Sequence, residues 1–227
     1  MTTEPATTVP GPDEPDVLGM QIAHRAMLRD LDRTTGIALA MADGTVPITG
    51  RRTRMLVRYL ELLAESIHHH HRAEDDILWP VIEDRAGGHI DLAPLTEDHE
   101  ALVPELEALR GATAALRAHP GRPAARALAT KLAEMRDMLG EHICEEERDT
   151  FPAIRRYLSV ADWRDVEARI RRCARMSFEL PRIAAASTPA ELAVLKRDAG
   201  PLIAIMLAAV GPRYRRMERA VWGRDQR

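Results

Sequence analysis

Two stretches of this chain decide its fold: HHHHRAEDDILWP at residues 68–80 and HICEEERDTFP at residues 142–152. They end the two copies of an ungapped internal repeat with an offset of 72 residues. In each copy, apolar residues recur at alternating steps of four and three, which places them on one face of a helix. That face leads directly to a histidine and, four residues later, to a glutamate. The matched positions are Leu56, Leu60, Leu63, Ile67, His70, Glu74, Trp79 and Pro80 in the first copy and Leu128, Leu132, Met135, Leu139, His142, Glu146, Phe151 and Pro152 in the second.

Two further segments each carry one histidine on an otherwise apolar helical face. His24 lies in line with Met27 and Leu31, and His99 lies in line with Leu102. A purely structural core does not explain this pattern, because burying a polar group without a partner costs roughly 2–7 kcal/mol. Four apolar faces that carry four histidines and two glutamates instead indicate one shared binding site.

The fold class predicted from the sequence is all-α. The chain has 227 residues, 45% apolar and 30% charged, which is typical of a soluble globular protein, and it has no convincing alternating run of β-branched residues. Helices are predicted over residues 17–42, 51–85, 94–117 and 124–157, the second being strained at Pro80. Because short connections join these long helices, an antiparallel up-down four-helix bundle with a C-terminal helical extension is expected.

The bundle is predicted to occupy residues 16–158. Residues 1–15 contain four prolines and few apolar side chains, which predicts a disordered N-terminal arm. Residues 159–227 are predicted to form a basic helical C-terminal extension with helices near 161–178, 189–199 and 201–222. From residue 155 onward the chain holds 16 lysines and arginines against 8 acids, although its total net charge is -3. This extension is expected to pack on the bundle or on a second copy of the chain, which would give a homodimer.

The four histidines are expected at one level of the bundle. About 18 residues separate His24 from the end of its helix, and about 18 separate the start of the next helix from His70. At 1.5 Å per residue each path is about 27 Å long, so an ascending and a descending helix bring both residues to the same height. The same count applies to His99 and His142.

The run of histidines at residues 68–71 offers four candidates for one ligand position. Continuing the apolar stripe selects His70 together with Glu74, which is one helical turn away. His71 with Asp75 is the alternative pair. If His70 is the ligand, the other three histidines of the run, His71 among them, are expected to face solvent or to support a ligand. The predicted metal ligands are therefore His24, His70, Glu74, His99, His142 and Glu146.

The donor set indicates which metal ions it could hold. Six donors exceed the four with which a structural zinc closes its tetrahedron. Two carboxylates able to bridge, with two imidazoles for each ion, suit a pair of iron or manganese ions. No further group obviously completes either coordination sphere, so open positions for dioxygen, peroxide or nitric oxide are predicted. Glu147 or Asp75 could accept a hydrogen bond from a ligand imidazole and so orient it.

The order of the ligands follows the pattern H–HxxxE–H–HxxxE, which resembles the hemerythrin-like HHE cation-binding domain over residues 17–158. The resemblance implies a four-helix bundle around a non-haem di-iron centre, with the two glutamates bridging the irons. It also implies how the histidines divide: His24 and His70 would bind one iron, and His99 and His142 would bind the other.

One departure from the family pattern bears on function. The oxygen-carrying members have two histidines one turn apart on the third helix, whereas here Leu95 and Val103 stand four residues from His99. A missing imidazole favours peroxide chemistry, sensing or a water-filled site over reversible oxygen carriage. The predicted function is a di-iron protein that binds dioxygen, peroxide or nitric oxide for sensing, storage or scavenging. A di-iron enzyme with catalase- or peroxidase-like turnover is the alternative.

The sequence also predicts the protein's setting and partners. The two cysteines form no disulfide framework, the N-terminal segment lacks the pattern of a secretory leader, and no stretch of about 18 apolar residues occurs. A cytoplasmic protein without a membrane segment is therefore expected. The arginines of residues 213–219 could contact nucleic acid, but a basic extension that docks on an acidic bundle explains them better, and binding to nucleic acid is not expected.

Overall fold

The computed structural model describes residue 11 and residues 14–198 and 200–223. Over these residues the chain is helical and contains no strand, so the all-α prediction is confirmed. The predicted N-terminal arm, residues 1–15, lies almost wholly outside the described residues. Among the helices of the described part, none is long and apolar enough to span a bilayer.

Five α-helices lie within the described residues 18–157. Their turns follow from sequence: Gly44 and Gly87 end two of them with positive φ angles of 82° and 58°, and the Thr49 side chain accepts a hydrogen bond from the Arg52 backbone at the start of another. The helices are α1 (Leu18–Asp43), α2 (Gly50–Ala73), α3 (Trp79–Ala86), α4 (Ala93–Ala118) and α5 (Arg122–Tyr157).

A π-helical turn, Glu74–Leu78, joins α2 to α3 where the sequence predicts one strained helix. Pro80 has no backbone N–H, and its ring would collide with the carbonyl of Asp76 in a regular α-helix, so a wider turn relieves the conflict. At the start of this turn, the Glu74 backbone N–H is shared between the carbonyls of His70 and His71. The strain predicted at Pro80 is therefore accommodated one turn earlier, beside the candidate ligands.

The long helices α1, α2, α4 and α5 pack around one apolar core. Each of these helices contacts two of the others, so that they form a ring in the order α1, α5, α4, α2 and back to α1. Leu31, Leu63, Leu106 and Leu132 represent the four helices in this core and are all at most 2% exposed. Burying one such side chain contributes about 1.5–3 kcal/mol. A second apolar cluster, which includes Trp79, lies beyond the candidate ligands toward the other end of the bundle.

The C-terminal extension consists of α6 (Val160–Cys173), α7 (Met176–Ala186), α8 (Pro189–Asp198) and α9 (Pro201–Trp222). The single helix predicted over residues 161–178 is wrong, because the backbone becomes extended at Ala174 and separates α6 from α7. The helices predicted over residues 189–199 and 201–222 correspond closely to α8 and α9. The extension packs on its own bundle: α7 contacts α1, and α9 contacts both α2 and α7.

A buried ion pair fastens the extension to the bundle. Arg182 of α7 donates from Nε to Asp30 of α1 at 2.6 Å, and both side chains are only 1% exposed. Its second guanidinium nitrogen donates to Ser66 of α2 at 2.8 Å and to Glu179 at 2.7 Å. Because an unpaired buried charge is strongly destabilising, this contact fixes α7 against α1 and α2.

Candidate metal centre

All six predicted ligands meet inside the bundle, between its two apolar clusters. His24 comes from α1, His70 from α2 and His99 from α4, and His142 comes from α5. The His24 and His70 Nε2 atoms are 2.9 Å apart, and the His99 and His142 Nε2 atoms are 3.1 Å apart. The pairing is the one that the family resemblance implies.

These separations fit ligands of a common ion. Two nitrogens bound at about 2.1 Å in adjacent positions, at right angles, lie about 3.0 Å apart. Nitrogen pairs at 2.9 and 3.1 Å therefore have the spacing of neighbouring ligands of one ion, once for each pair.

The two glutamates lie between the histidine pairs. Glu74, from the π-helical turn, places Oε1 2.8 Å from His70 Nε2 and Oε2 3.7 Å from His99 Nε2. Glu146, from α5, places Oε2 3.5 Å from His24 Nε2 and 3.6 Å from His142 Nε2. Each carboxylate thus faces both pairs, as a bridging ligand requires.

An outer layer of carboxylates orients the imidazoles. His24 Nδ1 donates to Glu147 at 2.8 Å, and His99 Nδ1 donates to Asp75 at 2.8 Å, the two contacts considered from the sequence. These hydrogen bonds hold the proton on Nδ1, so the lone pair of each Nε2 points into the site. His142 Nδ1 has a longer contact, 3.4 Å, to Asp98. Sequence reasoning missed this last pairing, because Asp98 is on a neighbouring helix and lies outside the repeated segments.

His71 is also part of the cluster, and the prediction that it could face solvent is wrong. It is 4% exposed, and its Nε2 is buried without a hydrogen-bond partner in the described part of the chain. Its ring centroid lies 4.6 Å from that of His99 and 5.2 Å from that of His142. His71, His99 and His142 form one group of potential donors, and the remaining donors form a second: His24, His70, Glu74 and Glu146.

The position of α2 explains how two adjacent histidines reach the same site. Successive residues on a helix point about 100° apart. Because α2 lies between α1 and α4, His70 turns toward His24 of α1 while His71 turns toward His99 of α4. The sequence argument assigned one inward position to each helix, so it treated the two histidines as alternatives.

Without a metal ion, the buried carboxyl groups of Glu74 and Glu146 are in an unfavourable environment. Burial raises the pKa of Glu74 and of Glu146 well above the usual range for a carboxyl group. Despite the 2.8 Å contact to His70, no oxygen of the two glutamates has a hydrogen bond of acceptable geometry to a described residue. Burial also lowers the pKa of His24, and it lowers that of His142 to about 4, so these imidazoles stay neutral with their lone pairs available. Neutral imidazoles around unpaired carboxylates are suited to divalent cations.

Comparison with known proteins agrees with this geometry. Residues 20–154 match the family described as the hemerythrin HHE cation binding domain. No curated protein and no solved structure gives a match. The matched segment covers more than half of the chain and contains every donor of the cluster. The chain therefore belongs to the hemerythrin HHE cation-binding family.

Proposed function

We propose that this protein holds a non-haem di-iron centre that binds a small ligand, dioxygen, peroxide or nitric oxide, for sensing, storage or scavenging. The observation that carries the proposal is the placement of two buried carboxylates between two groups of imidazoles. Within this proposal, the four long helices run up and down in antiparallel order. Family membership supports iron, because domains of this family typically bind that metal.

The proposal assigns each donor to one of two ions. His24 and His70 serve the first, and His99 and His142 serve the second. Their Nε2 separations of 2.9 and 3.1 Å support this division. Glu74 and Glu146 bridge the ions, since each has contacts to both pairs of histidines.

His71 completes the second group and changes the balance between the two candidate functions. From the sequence, the third helix lacks one imidazole of the oxygen-carrying members, which favours peroxide chemistry. His71, from the second helix, lies within the group formed with His99 and His142. Five imidazoles and two carboxylates are then present. This count supports ligand binding over catalase- or peroxidase-like turnover as the main activity.

The protein residues around the site orient the ligand imidazoles and exclude water from the donor cluster. Glu147 and Asp75 hold the protons of His24 and His99 on Nδ1 and fix the direction of both rings. Burial of the imidazoles and glutamates keeps the site dry, which strengthens every electrostatic interaction within it. A bound iron pair would supply open coordination positions and redox chemistry.

Iron content and spectroscopy test the proposal. Protein purified from unsupplemented cells should contain about two irons per chain, by the donor count, and its optical spectrum should change on addition of dithionite. Stopped-flow mixing with peroxide separates the two functions: a single-turnover spectral change supports ligand binding, whereas sustained oxygen evolution supports an enzyme. If a His70→Ala/Glu146→Ala double variant still carried the full iron content, the ligand assignment would be wrong.

The role of His71 has its own matched control. His71→Ala should lose iron from the second position and retain about one iron per chain after gel filtration. His68→Ala, in the exposed part of the same run, should keep the wild-type iron content. Equal iron content in the two variants would contradict the assignment of His71.

A further inference from the structure

A cavity of about 250 Å³ lies between the bundle and the C-terminal extension. Met20 and Ala23 of α1 form part of one wall. The opposite wall is formed by the extension, including Ile183 of α7, Leu192 of α8 and Leu207 of α9. The cavity therefore exists because the extension is fastened across α1 and α2, and the bundle alone would leave this wall open.

The cavity adjoins the candidate metal centre. His70 and Glu74 belong to its lining as well as to the donor cluster. The His70 side chain is 17% exposed, whereas those of His24, His99 and His142 are between 1% and 4% exposed. The least enclosed of these imidazoles is thus the one that faces the cavity.

The cavity walls are mainly aliphatic. Of their polar groups, Ser66 and His69 lie beside the donor cluster, and Arg171 and Lys196 are exposed to solvent. Glu167 and Glu179 are partly buried and form ion pairs with Arg171 and Arg182. An apolar cavity of about 150 Å³ stays free of water and can take up xenon or benzene. By contrast, a peroxide molecule entering such a space would lose its hydrogen bonds to water, and burying polar groups without partners is unfavourable.

We propose that this cavity collects apolar diatomic gas and supplies it to the metal centre on the side of His70. The inference rests on the proposed function and narrows its ligand class from three candidates to dioxygen or nitric oxide. It also gives the C-terminal extension a role, because α6, α7, α8 and α9 together provide more than half of the residues that line the chamber.

Xenon tests the chamber without any metal. Crystals of metal-free protein pressurised with xenon should show it in the cavity between α1 and α7. Ala184 lines this cavity, so Ala184→Phe should fill the space and remove the xenon. Ala185 is the next residue on the same helix and is exposed, so Ala185→Phe should bind xenon as the wild type does. Wild-type crystals without xenon at this position would overturn the proposal.

Gas binding tests the supply role. Association of nitric oxide with the reduced, iron-loaded protein should be slower by about tenfold in Ala184→Phe, which corresponds to about 1.4 kcal/mol in the barrier. Ala185→Phe should match the wild type, and all three proteins should have the same iron content. Equal association rates in the two variants would overturn the proposal.

Failure of the proposed function would give a different result. In that case the iron-loaded wild type and both variants would bind no gas at all, and the supply role would fall with the function. Xenon would nevertheless still occupy the cavity in the metal-free crystals.

Discussion

Glu146→Met is expected to stabilise the metal-free protein and to destabilise the metal-loaded one. Glu146 is 0% exposed, and neither carboxylate oxygen has a hydrogen bond to a described residue. An unpaired buried polar group costs about 1–3 kcal/mol. Methionine has a similar length, leaves no polar atom unpaired and adds apolar contacts. We therefore expect metal-free Glu146→Met to gain about 2 kcal/mol, or roughly 4–8 °C in Tm for a chain of this size.

The gain should grow with pH. Burial raises the pKa of Glu146 in the folded state. Above the pKa of the unfolded chain, the folded wild type retains a proton that the unfolded chain has lost, so its stability falls as pH rises, by about 1.4 kcal/mol per pH unit until the folded pKa is reached. Glu146→Met removes this loss. The difference between variant and wild type should therefore be smallest near pH 5 and larger at pH 8.

Urea unfolding of chelator-treated protein at several pH values measures both effects. Glu145→Met is the matched control, because Glu145 is the exposed neighbour on the same helix and should shift stability by at most about 0.5 kcal/mol. Added iron should reverse the order, since a ligand at 100 times its Kd stabilises the wild type by about 2.7 kcal/mol and the variant has lost a bridging donor. If metal-free Glu146→Met were less stable than wild type, or if iron left their order unchanged, the assignment of Glu146 would be refuted.

Three further predictions concern the residues around the site. Asp30→Ala should cost up to about 3–5 kcal/mol in urea unfolding, because it leaves the buried Arg182 with the partly exposed Glu179 as its acidic partner. An Asp30→Leu/Arg182→Met double variant should recover most of that loss, and a single variant as stable as wild type would contradict this prediction. Glu147→Ala should weaken iron binding about 10- to 100-fold in a chelator competition, and unchanged affinity would show that its contact to His24 does not matter. Iron affinity in a chelator competition should fall steadily as pH decreases from about 8 to 5, because protons compete for Glu74 and Glu146, whose pKa burial raises, whereas burial lowers the pKa of His24 and holds that of His142 to about 4. An affinity that stays constant over this range would contradict that expectation.

The all-α class and the convergence of six donors could be predicted because they depend on local periodicity. The repeat that leads to His70 and His142 fixes which helix face is buried, and the turn signals at Gly44 and Gly87 fix where the helices end. Counting residues from the turns between consecutive helices then places His24 level with His70, and His99 level with His142. None of these steps needs knowledge of how neighbouring helices pack.

The parts that were missed depend on packing between helices. His71 enters the site because α2 lies between two neighbours, and a one-face argument cannot represent that. The ion pair from Arg182 to Asp30 joins segments that are far apart in the sequence, and the break between α6 and α7 at Ala174 lets α7 pack against α1. The π-helical turn was anticipated only as strain at Pro80. The turn lies one helical turn before Pro80, where it both relieves the clash of the proline ring and directs the buried Glu74 into the site.

The π-helical turn shifts the phase of the helix that follows it. Relative to an uninterrupted α-helix, one inserted residue rotates every later side chain by roughly 100°. Glu74 can therefore point toward the donors while Trp79 and Ile82, farther along the same rod, are both buried in the second apolar cluster. Deleting a single residue from this turn would leave the histidines in register but rotate the indole of Trp79 toward water, which a red shift of its fluorescence would report. The orientation of Glu74 in the donor cluster is thus independent of the orientation of Trp79 and Ile82 in the second apolar cluster, although one continuous helical segment carries all three.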